Sequence, residues 1–277
     1  MKNFTLRLLT GIVYVGAITF CVIYSRYTFL ALFIIIMLFC LKEFYQLINI
    51  HKDAKLNPYL HGAGGALLFL TVFLFTSGIA GRSVLSLYLL YIVGILVYEL
   101  YARQKNPIAR LACIFFGQVY IALPLSLLNV LVFSDFTTNP PAYQWIWVIA
   151  LLVFIWANDT GAYLVGVRLG KHRLWERISP KKSWEGFFGG LAFTVIFAFI
   201  LSLFFSQIAW YHWIALSVGV VVFGTYGDLF ESLLKRVVAV KDSGRSLPGH
   251  GGFLDRFDSL LFAVYAMLFY MELFIRN

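Results

Sequence analysis

Hydrophobic residues fill this chain in long runs, and short polar stretches separate one run from the next. Each run is close to the roughly 20 apolar residues that a helix needs to cross a bilayer. The pattern therefore predicts an all-α, polytopic membrane protein with about nine transmembrane helices. The predicted spans cover residues 8–24, 27–47, 63–80, 84–101, 111–133, 145–167, 187–205, 213–234 and 260–275.

The composition supports this interpretation and limits what else the chain can contain. Of the 277 residues, 61% are hydrophobic and only 13% are charged, which is far from the composition of a soluble domain. We therefore predict one integral membrane domain over residues 1–277. Its N-terminal five-helix part covers 1–133, and 134–277 contains the remaining helices and the loops on which any catalytic role is expected to rest.

The basic residues are distributed unevenly between the two sides of the predicted membrane. If nine spans place alternate loops on opposite sides, all of the 22 Lys and Arg residues except Arg26, Arg82 and Arg276 fall on one side. The positive-inside rule then predicts a cytoplasmic N-terminus and an external C-terminus. The basic excess would face the anionic leaflet, which argues against nucleic acid as a partner.

Two of the predicted spans carry acidic residues near their cytoplasmic ends. In the sixth span, Asp159, Tyr163 and Gly166 share a helical face. In the eighth span, four polar residues form one stripe: Asp228, Glu231, Ser232 and Lys235. Charged groups in such places mainly line cavities or functional sites. Two plainer alternatives remain open, a hydrogen-bonded Asn158–Asp159 pair between helices and an Asp228 that simply pairs with a basic residue.

The two longest cytoplasmic connections, 168–186 and 235–259, hold half of the basic residues. The second also contains Asp242, a glycine-rich turn, and then Asp255 and Asp258 at the start of the ninth helix. Paired carboxylates without usable Cys suit Mg²⁺. Together with basic groups, they are typical of metal-assisted phosphoryl or nucleotidyl transfer. Alternatively, the first connection is a solvated basic loop that only enforces topology.

One continuous motif lies between residues 232 and 258. It reads Ser-x-x-Lys-Arg, four residues, Lys-Asp, four residues, and then Leu-Pro-x-His-Gly-Gly-x-x-Asp-Arg-x-Asp. This motif resembles the signature of the phosphatidate cytidylyltransferases, the CDP-diacylglycerol synthases. The upstream stretches 158–163 and 179–186 are also similar to that family. The resemblance covers roughly the C-terminal half of the chain.

The resemblance implies a reaction in which CTP and phosphatidate give CDP-diacylglycerol and pyrophosphate, with Mg²⁺ required and K⁺ as a further cation. It implies metal ligands at Asp228 and Asp255, and a homodimer in the lipid bilayer. The expected catalytic residues are Asp228, Asp255, Lys235, Lys241 and His250. The expected substrate-binding residues are Asp159, Ser179, Lys181, Lys182, Ser183, Ser232, Arg236, Asp242, Gly251, Gly252, Arg256 and Asp258.

Three other functions compete with this one. A secondary transporter would explain buried Asp159 and Asp228, but it leaves the polar segment 235–259 without a role. A CTP-dependent polyprenol kinase would release CDP, whereas cytidylyl transfer releases pyrophosphate. A CDP-alcohol phosphotransferase would need an Asp-Gly-x-x-Ala-Arg motif, which the sequence lacks. Short loops and modest length favour a multi-pass protein of the bacterial inner membrane, with its active site facing the cytoplasm.

Overall fold

A computed structural model describes residues 2–52, 55–134, 141–244, 246 and 251–275, except for the side chains of 2–10, 51 and 52. Helices dominate this part of the chain. In chain order the elements are α1 (Lys2–Tyr24), α2 (Arg26–Lys52), α3 (Pro58–Thr76), α4 (Ser86–Tyr101), α5 (Pro107–Gly117), α6 (Leu123–Val132), α7 (Ile146–Leu169), β1 (Arg173–Trp175), β2 (Ser179–Ser183), α8 (Trp184–Phe204), α9 (Trp210–Val237) and α10 (Leu254–Phe274).

The all-α membrane fold is confirmed. Eight helical stretches among the described residues are long and apolar enough to cross a bilayer. One of them, Pro107–Val132, combines α5 and α6, and the described apolar part of α1 is shorter, Gly11–Tyr24. Each of the nine predicted spans therefore corresponds to a helical stretch of the structure. Lys42 and Glu43 do not interrupt α2, which is continuous from Arg26 to Lys52.

The chain divides into two compact units, each assembled from two segments. The first unit contains Met1–Ile146 and Val240–Arg256, and the second contains Trp147–Ala239 and Phe257–Asn277. These boundaries differ from the predicted division at residue 133. The single integral domain stays a prediction.

Aromatic packing forms much of the core of the first unit. The rings of Phe29 and Phe33 in α2 lie 4.9 Å apart, and Phe33 stacks on Phe69 of α3 at 6.3 Å. Between α5 and α6 the helix widens into a π-turn, Gln118–Ala122. Pro124 follows two residues after this turn. Because proline has no N–H to donate and its ring clashes with the carbonyl four residues earlier, the regular helix cannot continue through this point.

Small residues bring the helices of the second unit close together. A Cβ atom on Gly161 of α7 would lie 2.8 Å from the carbonyl oxygen of Gly189 in α8. A Cβ on Gly227 of α9 would lie 2.5 Å from the carbonyl oxygen of Asp258 in α10. Close backbone approach through glycine is typical of packing between membrane helices. It brings α7 close to α8, and α9 close to α10.

The basic connection after α7 contains an antiparallel hairpin of β1 and β2, which pairs Arg173 with Ser183 and Trp175 with Ser179. Glu185 of α8 closes its base, because the carboxylate accepts hydrogen bonds from the backbone N–H groups of Lys171 (3.1 Å) and His172 (3.2 Å). Its Oε1 atom also lies 2.6 Å from His172 Nδ1. The loop expected from the sequence is thus an ordered hairpin on top of α8.

Candidate active site

The second unit contains a cavity of about 620 Å³ that is lined by acidic, basic and small residues. The predicted face of Asp159, Tyr163 and Gly166 contributes one wall, so its assignment to one helical face is confirmed. Lys181 and Lys182 of β2 and Asp228 of α9 contribute further charged groups to the lining. The cavity therefore brings together four of the predicted site residues, all charged, from three separate stretches of the sequence.

Asp228 and Lys182 form an ion pair at this cavity. The side chain of Asp228 is 32% exposed and that of Lys182 is 27% exposed. Ser232, one turn further along α9, donates its hydroxyl to Asp228 Oδ1 at 3.3 Å. This ion pair is the one expected under the alternative in which Asp228 simply pairs with a basic residue. It also places a carboxylate and an ammonium group side by side at the cavity wall.

The rest of the predicted stripe on α9 forms a second ion pair. Glu231 is 1% exposed and pairs with Lys235 one turn later. Arg236, the next residue, donates its Nε–H to the carbonyl oxygen of Ile178, which lies between β1 and β2, at 3.3 Å. Within the second unit, Lys235 is therefore tied to a buried carboxylate, and Arg236 holds the hairpin against α9.

Asp258 is buried at 9% exposure near the start of α10. Its Oδ1 accepts a hydrogen bond from the backbone N–H of Ser259 at 2.6 Å. Burying a carboxylate costs free energy unless it has partners, and acidic residues in membrane helices generally face a polar interior. Ser259 itself lines the cavity with Asp228. Asp258 is thus a buried neighbour of a cavity-lining residue.

The hairpin positions the basic side chains of the motif at 179–186. Ser183 caps α8, since its Oγ accepts a hydrogen bond from the backbone N–H of Gly186 at 3.1 Å. Ser179 pairs with Trp175 at the other end of the hairpin and is half-buried. Lys181 is exposed and lines the cavity. Ser183 therefore caps α8 and also lines the cavity, whereas Lys181 and Lys182 are the predicted cations that the hairpin places at the cavity.

A separate group of predicted residues lies in the first unit. The carboxylate of Asp255 accepts hydrogen bonds from the backbone N–H groups of Ser243 (3.0 Å) and Gly252 (2.9 Å). Gly251 has a φ of 85°, a left-handed conformation that glycine adopts without strain. The other members, Lys241, Asp242 and Arg256, are exposed. Asp255 is thus fixed by backbone amides within its own loop.

Predicted residue His250 lies outside the described residues, as do Leu247 and Pro248 of the motif. The structure also adds cavity residues that were not predicted: Asn158, Arg173, Thr225 and Ser259. The Oδ1 atom of Asn158 is buried and has no hydrogen-bond partner among the described residues. Helical spacing from Asp228 could have indicated Thr225, because it lies three residues earlier on the same face.

The donor chemistry of the two predicted metal ligands fits Mg²⁺. Asp228 offers a partly exposed carboxylate beside the hydroxyl of Ser232. Asp255 offers a second carboxylate, which the backbone amides of Ser243 and Gly252 hold in place. No cluster of three or more His, Cys, Asp or Glu residues is found within the described ranges. Mg²⁺ is commonly held by one or two carboxylates together with water and phosphate oxygens.

The chain matches known proteins over nearly its full length. The model of the cytidylyltransferase family matches residues 5–274. A phosphatidate cytidylyltransferase of Bacillus subtilis (strain 168) is 34% identical over 282 residues, which cover 99% of this chain and 100% of that protein. The phosphatidate cytidylyltransferase of Staphylococcus haemolyticus (strain JCSC1435) is 48% identical over 120 residues, covering 43% of this chain and 46% of that protein.

These matches agree with the motif from 232 to 258 and with the helical fold. Because the family model spans most of the chain, the similarity includes the N-terminal helices as well as the motif. The chain therefore belongs to the cytidylyltransferase family.

Proposed function

We propose that this protein transfers the cytidylyl group of CTP to phosphatidate, giving CDP-diacylglycerol and pyrophosphate in phospholipid biosynthesis. The observation that carries the proposal is the full-length similarity to the Bacillus subtilis phosphatidate cytidylyltransferase. The cavity lined by Asp159, Lys181, Lys182 and Asp228 supports it, since these groups suit anionic phosphates and a divalent cation.

The reaction requires little acid–base chemistry from the protein. A phosphate monoester loses its second proton at about pH 6, so phosphatidate is largely a dianion at neutral pH. One of its phosphate oxygens attacks the α-phosphorus of CTP, and the bond from that phosphorus to the bridging oxygen of the β-phosphate breaks. Pyrophosphate leaves with that electron pair. The protein therefore contributes mainly in-line positioning and neutralisation of charge.

In this proposal the basic residues bind phosphates. Lys181 is exposed at the cavity and can turn toward a phosphate in it. Lys182 would exchange part of its interaction with Asp228 for a phosphate oxygen. The remaining cations assigned to phosphates are Lys235, Lys241 and Arg256. His250, Ser179, Ser232, Arg236, Gly251 and Gly252 keep their predicted places in the catalytic and substrate-binding set.

Asp228 and Asp255 would hold Mg²⁺, and Asp159, Asp242 and Asp258 would complete or orient the metal site. When bound, the metal ion supplies positive charge that stabilises the negative charge of the phosphates during transfer. Asp228 is oriented for this role by Ser232, and Asp255 is held by the amides of Ser243 and Gly252. K⁺ is a further cation that the family resemblance implies.

The proposed setting is a bacterial inner membrane, in which the protein is a homodimer with its active site facing the cytoplasm. The strongly basic connections 168–186 and 235–259 support this orientation, because basic loops stay on the cytoplasmic side. Apolar helices long enough to span a bilayer support the membrane location. The homodimer rests on the family resemblance.

The proposal is tested with purified protein in detergent, radiolabelled CTP and short-chain phosphatidate, while Mg²⁺ is titrated. We expect Mg²⁺-dependent formation of labelled CDP-diacylglycerol with equimolar pyrophosphate. The Asp228→Asn variant should keep the helical circular dichroism of the wild type and lose this activity by a factor of about 100 or more, because the charge on the ligand is lost. Release of CDP in place of pyrophosphate would contradict cytidylyl transfer, and near-normal turnover of the variant would remove Asp228 from the metal role.

A further inference from the structure

Glu43 is a buried carboxylate that the proposed chemistry does not use. It lies within the apolar helix α2 and is only 1% exposed. Isolated charges in such surroundings are costly, and acidic residues inside membrane helices are generally functional. The contacts of Glu43 therefore indicate what the residue does.

Those contacts are made to a segment about 200 residues later in the same unit. Glu43 Oε2 accepts a hydrogen bond from the hydroxyl of Ser243 at 3.2 Å and from the backbone N–H of Leu254 at 3.0 Å. A nearby aromatic contact reinforces the attachment, since the rings of Phe39 and Phe253 stack at 4.7 Å. One face of α2 thus holds both ends of the loop that precedes α10.

The same loop positions Asp255. Ser243 donates its hydroxyl to Glu43 and its backbone N–H to Asp255 at 3.0 Å, so a single residue contacts both carboxylates. Gly252, whose N–H also binds Asp255, packs directly against Glu43. A Cβ atom on Gly252 or on Gly244 would come closer than 3.0 Å to the Glu43 carboxylate. The two glycines therefore let the loop close around this carboxylate.

We propose that Glu43 is a positioning residue for Asp255: it anchors Ser243 and Leu254, and the anchored loop presents the two backbone amides that orient the Asp255 carboxylate. The role of Asp255 in the reaction rests on the proposed function, whereas the anchoring of the loop does not. The anchor acts through hydrogen-bond acceptance, because both hydrogen bonds end on the single atom Oε2.

This mechanism predicts a different effect for each of three substitutions. In Glu43→Gln the amide oxygen can occupy the position of Oε2 and keep both hydrogen bonds. Glu43→Ala removes the acceptor and leaves the Ser243 hydroxyl and the Leu254 N–H without it. Ser243→Ala is a milder change, since it removes one donor to Glu43 but keeps the backbone N–H that binds Asp255. Gln46→Ala is the matched control, because Gln46 is an exposed polar residue on the same helix.

The test combines amide hydrogen exchange with kinetics on the full-length protein in detergent. For Glu43→Ala we expect exchange at Ser243, Gly252 and Leu254 to become faster by about tenfold or more, and kcat to fall by a similar factor. Ser243→Ala should show about a threefold effect. Glu43→Gln and Gln46→Ala should stay within about twofold of the wild type in both measurements.

Two results would overturn the inference. Wild-type exchange of these amides in Glu43→Ala, or in Ser243→Ala if the first variant does not fold, would show that Glu43 does not anchor the loop. If Glu43→Gln changes amide exchange and kcat as much as Glu43→Ala does, Glu43 acts through its charge and not through hydrogen-bond acceptance. Failure of the wild type to make CDP-diacylglycerol would contradict the proposed function, and the exchange measurement would still decide the role of Glu43.

Discussion

Single residues at the cavity differ in how firmly they are held. Lys182 is paired with Asp228, and Lys235 is paired with the buried Glu231. Lys181, by contrast, is exposed and lines the cavity. A flexible, exposed ammonium suits recognition of a phosphate that arrives with the substrate. Substitution of Lys181 should therefore weaken substrate binding while leaving the rate of the chemical step largely unchanged.

We predict that Lys181→Gln raises the KM for CTP by about tenfold, since a charge-assisted hydrogen bond to phosphate contributes about 1.5 kcal/mol or more. The value of kcat should change by less than about threefold. The matched control is Lys171→Gln, because Lys171 is an exposed lysine on the same connection that does not line the cavity. Equal KM values for both variants would favour the alternative in which this basic connection only enforces topology.

Spacing and motif resemblance were sufficient to predict the cavity residues Asp159, Lys181, Lys182 and Asp228. Glu43 was not predictable as a partner of the motif, because its hydrogen-bond partner Ser243 lies 200 positions away and no local pattern links the two. In the sequence Glu43 only interrupts an apolar run. Its significance depends on which loop packs against α2, and that is decided by tertiary structure.

At the scale of helices, close packing between α7 and α8 forms one side of the cavity region. A Cβ on Gly190 of α8 would lie 2.8 Å from the carbonyl oxygen of Asn158 and closer still to its Oδ1 atom. Thr194, one turn later, donates its hydroxyl to the carbonyl oxygen of Phe154 at 3.4 Å. Because the obstructing atoms include backbone, a larger residue at 190 must push the two helices apart.

We predict that Gly190→Ala lowers the stability of the protein in detergent by about 1–3 kcal/mol, the usual cost of overpacking. It should also reduce cytidylyl transfer, since Asn158 and Asp159 would shift together. Gly94→Ala is the control, because a Cβ at this position on α4 would meet no atom within 4 Å. Thermal unfolding followed by circular dichroism measures the effect, and equal melting temperatures for the two variants would contradict the packing argument.

The existence of the helices could be predicted from hydropathy, whereas their starts could not. The helices α3, α5 and α8 begin three to five residues before the predicted spans, at the caps Asn57, Asn106 and Ser183. Hydropathy detects only the apolar part of a helix, and capping extends it into the polar region. The β1–β2 hairpin was missed because the Ser-Pro-Lys-Lys stretch has low β-propensity and Glu185 closes the hairpin from outside it.

At the scale of the whole molecule, the chain passes between its two compact units near residues 146, 239 and 256. The predicted metal ligands belong to different units: Asp228 to the second and Asp255 to the first. The two aspartates are near each other in the sequence, and no feature of the residues between them indicated this division. The central claim of the proposed function is that these two carboxylates share one divalent ion.

Titration of the detergent-purified protein with Mn²⁺, followed by electron paramagnetic resonance, tests this claim most directly. The wild type, Asp228→Asn, Asp255→Asn and the double variant are compared, with Glu176→Gln as the control, because Glu176 is an exposed carboxylate that does not line the cavity. If the two aspartates share one ion, each single variant should lose the tight Mn²⁺ site as completely as the double variant does. Tight Mn²⁺ binding that persists in either single variant and disappears only in the double variant would contradict a shared ion.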